Sequence, residues 1–221
     1  MDDDGADGAA LECSLAFIER VNRLLHYTHS TIRHLDRMST HWKTGRTYRL
    51  LDIATGSADV PRAVLRWADT RGLNVRIIGV DRHAKTLHIA RALTPDPRVE
   101  LMQADALALP FETGSFDLVV SSMFLHHLSD DDAITMIASA ERLSTHGWII
   151  ADLLRSRRAY AWIKLFTTLS NPMVKHDACV SVRQAFTCGE IMELCARAKV
   201  GDTHFRRHFG HRFVITKQKL F

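Results

Sequence analysis

The sequence predicts an α/β protein: one seven-stranded mixed sheet with helices on both faces. Three observations predict it. Short runs that are apolar on both faces alternate with stretches of helical period, the pattern of a parallel sheet covered on two sides. The stretches between the first five runs are long enough for right-handed crossovers. The last two strand-like runs are joined by a short link near Gly210, so they pair antiparallel and the last strand runs against the others.

Taken in order, residues 1–10 are Asp, Gly and Ala and predict a frayed tail. Leu15, Ile18, Leu25, Ile32 and Leu35 recur at helical intervals, which predicts one long helix over Glu12–Leu35, or two with a break near His26–Ser30. Tyr48–Ala54 reads as the first strand. Val60–Arg71 follows as a helix, with Asp59 available as cap and Pro61 tolerated in the first turn. Asn74–Asp81 is the second strand, His83–Leu93 a helix, and Val99–Ala104 the third strand. Phe116–Ser122 is the fourth, followed by a helix over Asp130–Leu143 whose three leading aspartates suit the positive end of its dipole. Trp148–Leu153 is the fifth strand and Arg157–Leu169 a helix. Thr187–Lys199 is a helix opened by a capping box, Thr187 with Glu190. Thr203–Phe209 and Arg212–Lys217 complete the sheet. The stretch NPMVKHDACVSVRQAFT reads as a connection between the fifth and sixth strands.

Composition sets outer bounds. With 221 residues, 46% hydrophobic and 24% charged, the chain is rich enough in apolar residues to build a core. No apolar run reaches the roughly 18 residues of a membrane span. The acidic start MDDDGADGAA is unlike a signal or transit peptide. Cys13, Cys179, Cys188 and Cys195 form no CxxC pair, which predicts reduced thiols, a cytoplasmic location and no metal site. The net charge of +4 does not favour nucleic acid. Part of that excess gathers at Arg155, Arg157 and Arg158, and part at Arg206, Arg207, Arg212, Lys217 and Lys219.

In an open α/β sheet, ligands lie beyond the carboxyl ends of the strands. There this sequence places Asp52 through Asp59, Asp81, Asp105-Ala106 and Ser121-Ser122. Gly56 permits a left-handed turn, and free N–H groups entering the next helix suit an anionic group. An acid ending the second strand can accept from two ribose hydroxyls, and one ending the third can meet an adenine amine. The set describes an adenosine-bearing ligand. A dinucleotide fingerprint is excluded because the loop reads ATGSAD, without its second and third glycines. No phosphate-binding GxxxxGK[ST] occurs.

The runs LLDIATGSADVPRAV, IIGVD, ADALALPFETGSFDLVVSSMFLHHLSDDDAI and GWIIADLLRS resemble the class I S-adenosylmethionine-dependent methyltransferases, a Rossmann-like family. Among these, the small-molecule enzymes of ubiquinone and menaquinone biosynthesis and their relatives in secondary metabolism are most similar. The resemblance covers about residues 48–154. It implies a tail and helical lid over 1–45 and an S-adenosylmethionine-binding domain over 46–221. By the same resemblance, Asp52, Ala54, Gly56 and Ser57 surround the methionine part of the cofactor. Asp81 binds the ribose and Arg82 flanks the adenine, which Asp105 and Ala106 also meet; Ser122 touches the amino-acid end. The family has glycine where this chain has Ala54 and Ala58, positions that resist a side chain wherever φ is positive.

The expected function is methyl transfer to a small phenolic, quinone or polyketide-like acceptor, at oxygen in preference to carbon, by a monomer or homodimer. Orientation and exclusion of water carry much of such a reaction. A phenol with a pKa near 10 costs about 4 kcal/mol to ionise at pH 7. That makes a histidine base useful. The candidates are His126 and His127, which follow the fourth strand, and His176 in the stretch before the sixth. Asp152 is the one strand-end oxygen offered to a metal, and no partner ligand follows it. The alternatives are RNA or protein methylation, and a non-catalytic module permitted by the alanine-substituted loop.

Overall fold

The computed structural model describes residues 27–166 and 172–219. Its elements in chain order are α1 (Tyr27–Met38), β1 (Thr47–Ile53), α2 (Asp59–Arg71), β2 (Asn74–Asp81), α3 (Ala84–Leu93), β3 (Val99–Gln103) and β4 (Phe116–Ser122). A single 3-10 turn, Leu125–His127, leads into α4 (Asp130–Leu143) and β5 (Ser144–Leu153). Then come α5 (Arg157–Phe166), α6 (Pro172–Gln184), α7 (Cys188–Arg197), β6 (His204–His208) and β7 (Arg212–Gln218).

The sheet order is β3-β2-β1-β4-β5-β7-β6. The strands β1 to β5 pair in parallel, while β7 runs antiparallel to both β5 and β6. From β1 the chain winds outward to β3, then returns to the other side of β1 to form β4. The crevice at that reversal is where this architecture holds ligands.

Alternation along the strands divides the core in two. Leu51, Ile53, Val119, Trp148, Ile150, Phe213 and Ile215 point to the face covered by α4 and α7. Leu50, Leu118, Val120, Ile149, Ala151 and Val214 point to the other, where Leu35, Met38, Val60, Val64 and Ala68 of α1 and α2 pack. The described part of the N-terminal segment is therefore a layer of the fold. Residues 1–26, which include most of the predicted first helix, lie outside the described residues.

Side chains cap two helices, α7 by the predicted box and α4 by Ser129, which is not among the predicted caps. The Ser129 side chain opens α4, accepting from the Asp132 N–H at 3.3 Å. Thr187 and Glu190 exchange both bonds of the box at α7. The stretch expected as a connection is instead the helix α6. Among its described side chains Cys179 and Val182 are buried, three residues apart on one face. It packs against α5 and the Leu125–His127 turn.

At the amino ends of the strands, Asp117 is a hub. It accepts from Arg46 at 2.5 Å and from the Arg49 N–H at 2.7 Å. Trp42 stacks on Tyr48 with ring centroids 3.9 Å apart, 3° from parallel. At the far edge, His34 of α1 meets His208 of β6, with 3.1 Å between their Nε2 atoms. One ring must donate and the other accept.

Register on β5 depends on Gly147, whose φ is 132°. A Cβ there would sit 1.9 Å from the Lys217 carbonyl oxygen of β7. Gly147→Ala is expected to cost more than about 3 kcal/mol by denaturant unfolding, since both the backbone and the ladder must shift.

Candidate active site

Beyond β1 the chain turns through residues 54–58 into α2. Ala54, Gly56 and Ala58 all lie in the left-handed region, with φ of 58°, 54° and 59°. The loop thus keeps the conformation glycine favours, at a cost of about 1 kcal/mol or more for each alanine. It is held by Thr55 N–H donating to the Val80 carbonyl and Ala58 N–H to the Thr55 carbonyl, both at 2.9 Å. The helix begins one residue earlier than predicted, with Ala58 at the cap and Asp59 inside the first turn. Asp59 is therefore not the cap. The left-handed entry at residue 58 differs from the extended geometry in which a side chain caps. Its Oδ1 instead accepts from the Val60 N–H at 3.0 Å, and its Oδ2 from Thr28 of α1 at 3.4 Å.

Three of the predicted acids stand at strand ends. Asp81 is half-buried; its Oδ2 accepts from Gly56 N–H at 3.1 Å and its Oδ1 from His83 N–H at 3.0 Å. Each oxygen keeps a lone pair for a further donor. Asp52 is buried and accepts from the Thr55 hydroxyl at 2.6 Å. Burial pushes its carboxyl up to about 8 against that bond, with the Asp59 and Asp81 charges adding to the rise. Asp105, one strand further out, is exposed and accepts from Leu107 N–H at 2.9 Å, next to buried Ala106. Arg82 is exposed, Ser57 buried and Ser122 half-buried. Ser121, beside it, donates to the Ile53 carbonyl at 3.0 Å and ties the end of β4 to β1.

The two histidines after β4 differ. His126 is buried at 4% exposure, and its Nδ1 lies 2.6 Å from Asp152 Oδ1. Its backbone N–H donates to the second oxygen of Asp152 at 2.9 Å. Burial alone would push the Asp152 carboxyl up; the His126 ring and the bonds from His126 and Leu153 hold it below the usual carboxylate range. His127 is exposed, its ring centroid 4.1 Å from that of His126. His176 falls within α6, and its side chain lies outside the described residues. The His126–Asp152 pairing emerges only in the fold, since the sequence offers Asp152 to a metal alone. Among the described residues, no three His, Cys, Asp or Glu side chains gather as a metal site. No described helix is long and apolar enough to cross a membrane.

Residues 50–147 match the family model described as a methyltransferase domain. This region is a methyltransferase domain by that match. Over 84 residues the chain is 34% identical to the demethylmenaquinone methyltransferase of Thermus thermophilus, covering 37% of this chain and 36% of that protein. The match thus spans about a third of that relative's length. An O-methyltransferase family 2 protein from Planctomyces limnophilus, solved with apigenin, superposes with a TM-score of 0.68. It is 20% identical, with all of this chain and 64% of that one covered. Human N-acetylserotonin methyltransferase, solved with SAM, superposes at 0.69 with 13% identity, covering 96% and 56%. At these identities the two structures show a shared fold.

The methyltransferase domain's own residues fit an adenosyl ligand. Asp81, fixed by one backbone N–H on each oxygen, has an acceptor left on each for two neighbouring hydroxyls. The turn at 54–58 keeps the shape that lets a ligand approach the backbone.

Ala54→Gly is expected to stabilise the protein by about 0.5–1 kcal/mol in denaturant unfolding, relief of strain outweighing the added freedom of the unfolded chain. Asp52 binds a proton in the folded state that the unfolded chain releases, so the wild type loses stability as pH rises from about 4 toward 8. Asp52→Asn does not titrate. It is expected to melt above the wild type at pH 8, the difference narrowing toward pH 4.

Proposed function

We propose that the chain transfers a methyl group from S-adenosylmethionine to a small, apolar, aromatic or quinone-like acceptor, at oxygen in preference to carbon. The observation that carries this is the bond from Gly56 N–H to Asp81, which joins the left-handed turn after β1 to the acid ending β2. Asp81 would hold the ribose hydroxyls, the turn at 54–57 with Asp52 and Ser122 the amino-acid end, and Arg82, Asp105 and Ala106 the adenine. When bound, the cofactor supplies an electrophilic methyl on a sulfonium.

The chain's part is to orient the acceptor and receive its proton. With Nδ1–H given to Asp152, the neutral His126 ring keeps Nε2 as its proton-accepting atom. The Asp152 carboxylate then balances the imidazolium that forms. His127 and the His176-bearing helix, packed on the same turn, complete the acceptor side. The Thermus relative's quinone-derived name and the apigenin in the Planctomyces structure support a flat ring as acceptor. Thr28 of α1, bonded to Asp59, supports reading the start of α1 as cover for this rim, whereas Trp42 and Arg46 lie at the strands' amino ends.

Calorimetric titration with S-adenosylmethionine is expected to give micromolar binding that Asp81→Ala weakens at least about tenfold, the worth of one charge-assisted hydrogen bond. Absence of binding to the wild type overturns the reading. With a phenolic acceptor, His126→Asn is expected to lower kcat by about 10²–10⁴-fold, with cofactor affinity kept within about twofold.

A further inference from the structure

The β6–β7 hairpin is acid-free: residues 204–221 contain five Lys or Arg and three His, with no Asp or Glu. Its edge strand exposes His204, Arg206 and Arg207. On the α1 side the cluster widens. Arg33, Arg37 and Arg206 all bear on the His34–His208 pair. The one carboxylate of α1, Asp36, is engaged by Arg71 and the Trp67 indole. Just past β6, Phe209 is 80% exposed, far more than any other large apolar side chain among the described residues.

The position of this tip follows from topology. Both β5 and β6 are antiparallel to β7, and Arg212 pairs with Leu153 on one side and His208 on the other. Residues 209–211 therefore lie at the rim where β5 ends, pinned by Leu154 N–H donating to the His211 carbonyl at 2.8 Å. That is the rim of the candidate active site.

We propose that this tip docks the protein on an anionic phospholipid surface, with Phe209 entering the headgroup layer and Arg33, Arg37, Arg206 and Arg207 meeting the phosphates. Arginines draw a protein to such a surface and a protruding aromatic holds it there. One surface supplies both the negative charge this patch complements and a reservoir of apolar acceptor beside the rim. The second half of that statement rests on the function proposed above; the docking itself does not. A nucleic-acid site would set its stacking ring within a charged groove, whereas Phe209 stands at a convex tip.

The test is co-sedimentation of the full chain, without cofactor or acceptor, with vesicles of phosphatidylcholine alone or with one third phosphatidylglycerol, at about 0.1 M salt. Binding is expected only with phosphatidylglycerol. Phe209→Ala should weaken it about fivefold or more, and the pair Arg33→Glu with Arg206→Glu at least about twentyfold. All three side chains are exposed, and unchanged melting curves will show that the variants fold. Equal binding to both vesicles, binding to neither, or variants that bind like the wild type overturn the proposal. So does displacement from the vesicles by equimolar single-stranded RNA, which reassigns the patch to nucleic acid. Methyl transfer to a water-soluble phenol separates the two readings: it survives in the hairpin variants if only docking is lost.

Discussion

The geometry of the site depends on a turn that most side chains resist. Between β1 and α2 the backbone visits the left-handed region three times in five residues, at 54, 56 and 58. This brings Gly56 N–H onto Asp81 and sets the first turn of α2 beneath the crevice. Two of the three positions are alanine, so the strain is carried by the surrounding fold. Val80 accepts from Thr55, and Ser121 ties β4 to the end of β1. Local strain held by well-packed neighbours is characteristic of ligand sites.

Most of the architecture is legible in the sequence because its signals are local and repeated. The strands Asn74–Asp81 and Phe116–Ser122 and the helix Asp130–Leu143 have the boundaries their apolar runs and leading aspartates mark. The differences lie where long-range contacts decide. The fifth strand begins at Ser144 rather than Trp148 because Ser144 pairs with Phe116 of β4 across a register shift, which no apolar pattern announces. The helix α6 is not marked in the sequence because polar Lys175, His176 and Asp177 interrupt its apolar residues; among its described side chains Cys179 and Val182 are buried.

The candidate site divides the same way. Asp52, Asp81 and Asp105 are readable, since each alternation of strand and helix returns an acid to the same rim. The left-handed φ of Ala54 and Ala58 runs against what their identity alone favours, and only the family likeness points there. The His126–Asp152 pair joins residues 26 apart in sequence, one in the turn after β4 and the other near the end of β5. A pair of histidines after a strand is visible in the sequence; which one a buried carboxylate selects is not.

The opposite end of the sheet has a different character. Asp117 gathers Arg46 and the Arg49 backbone, and the Trp42–Tyr48 stack closes over them. These bonds fasten residues 39–49 across the bases of the central strands, so that end has little freedom to breathe. Thermal motion is then unevenly shared, with the crevice as its outlet. A fold built this way keeps its floor still and leaves its remaining freedom to its mouth.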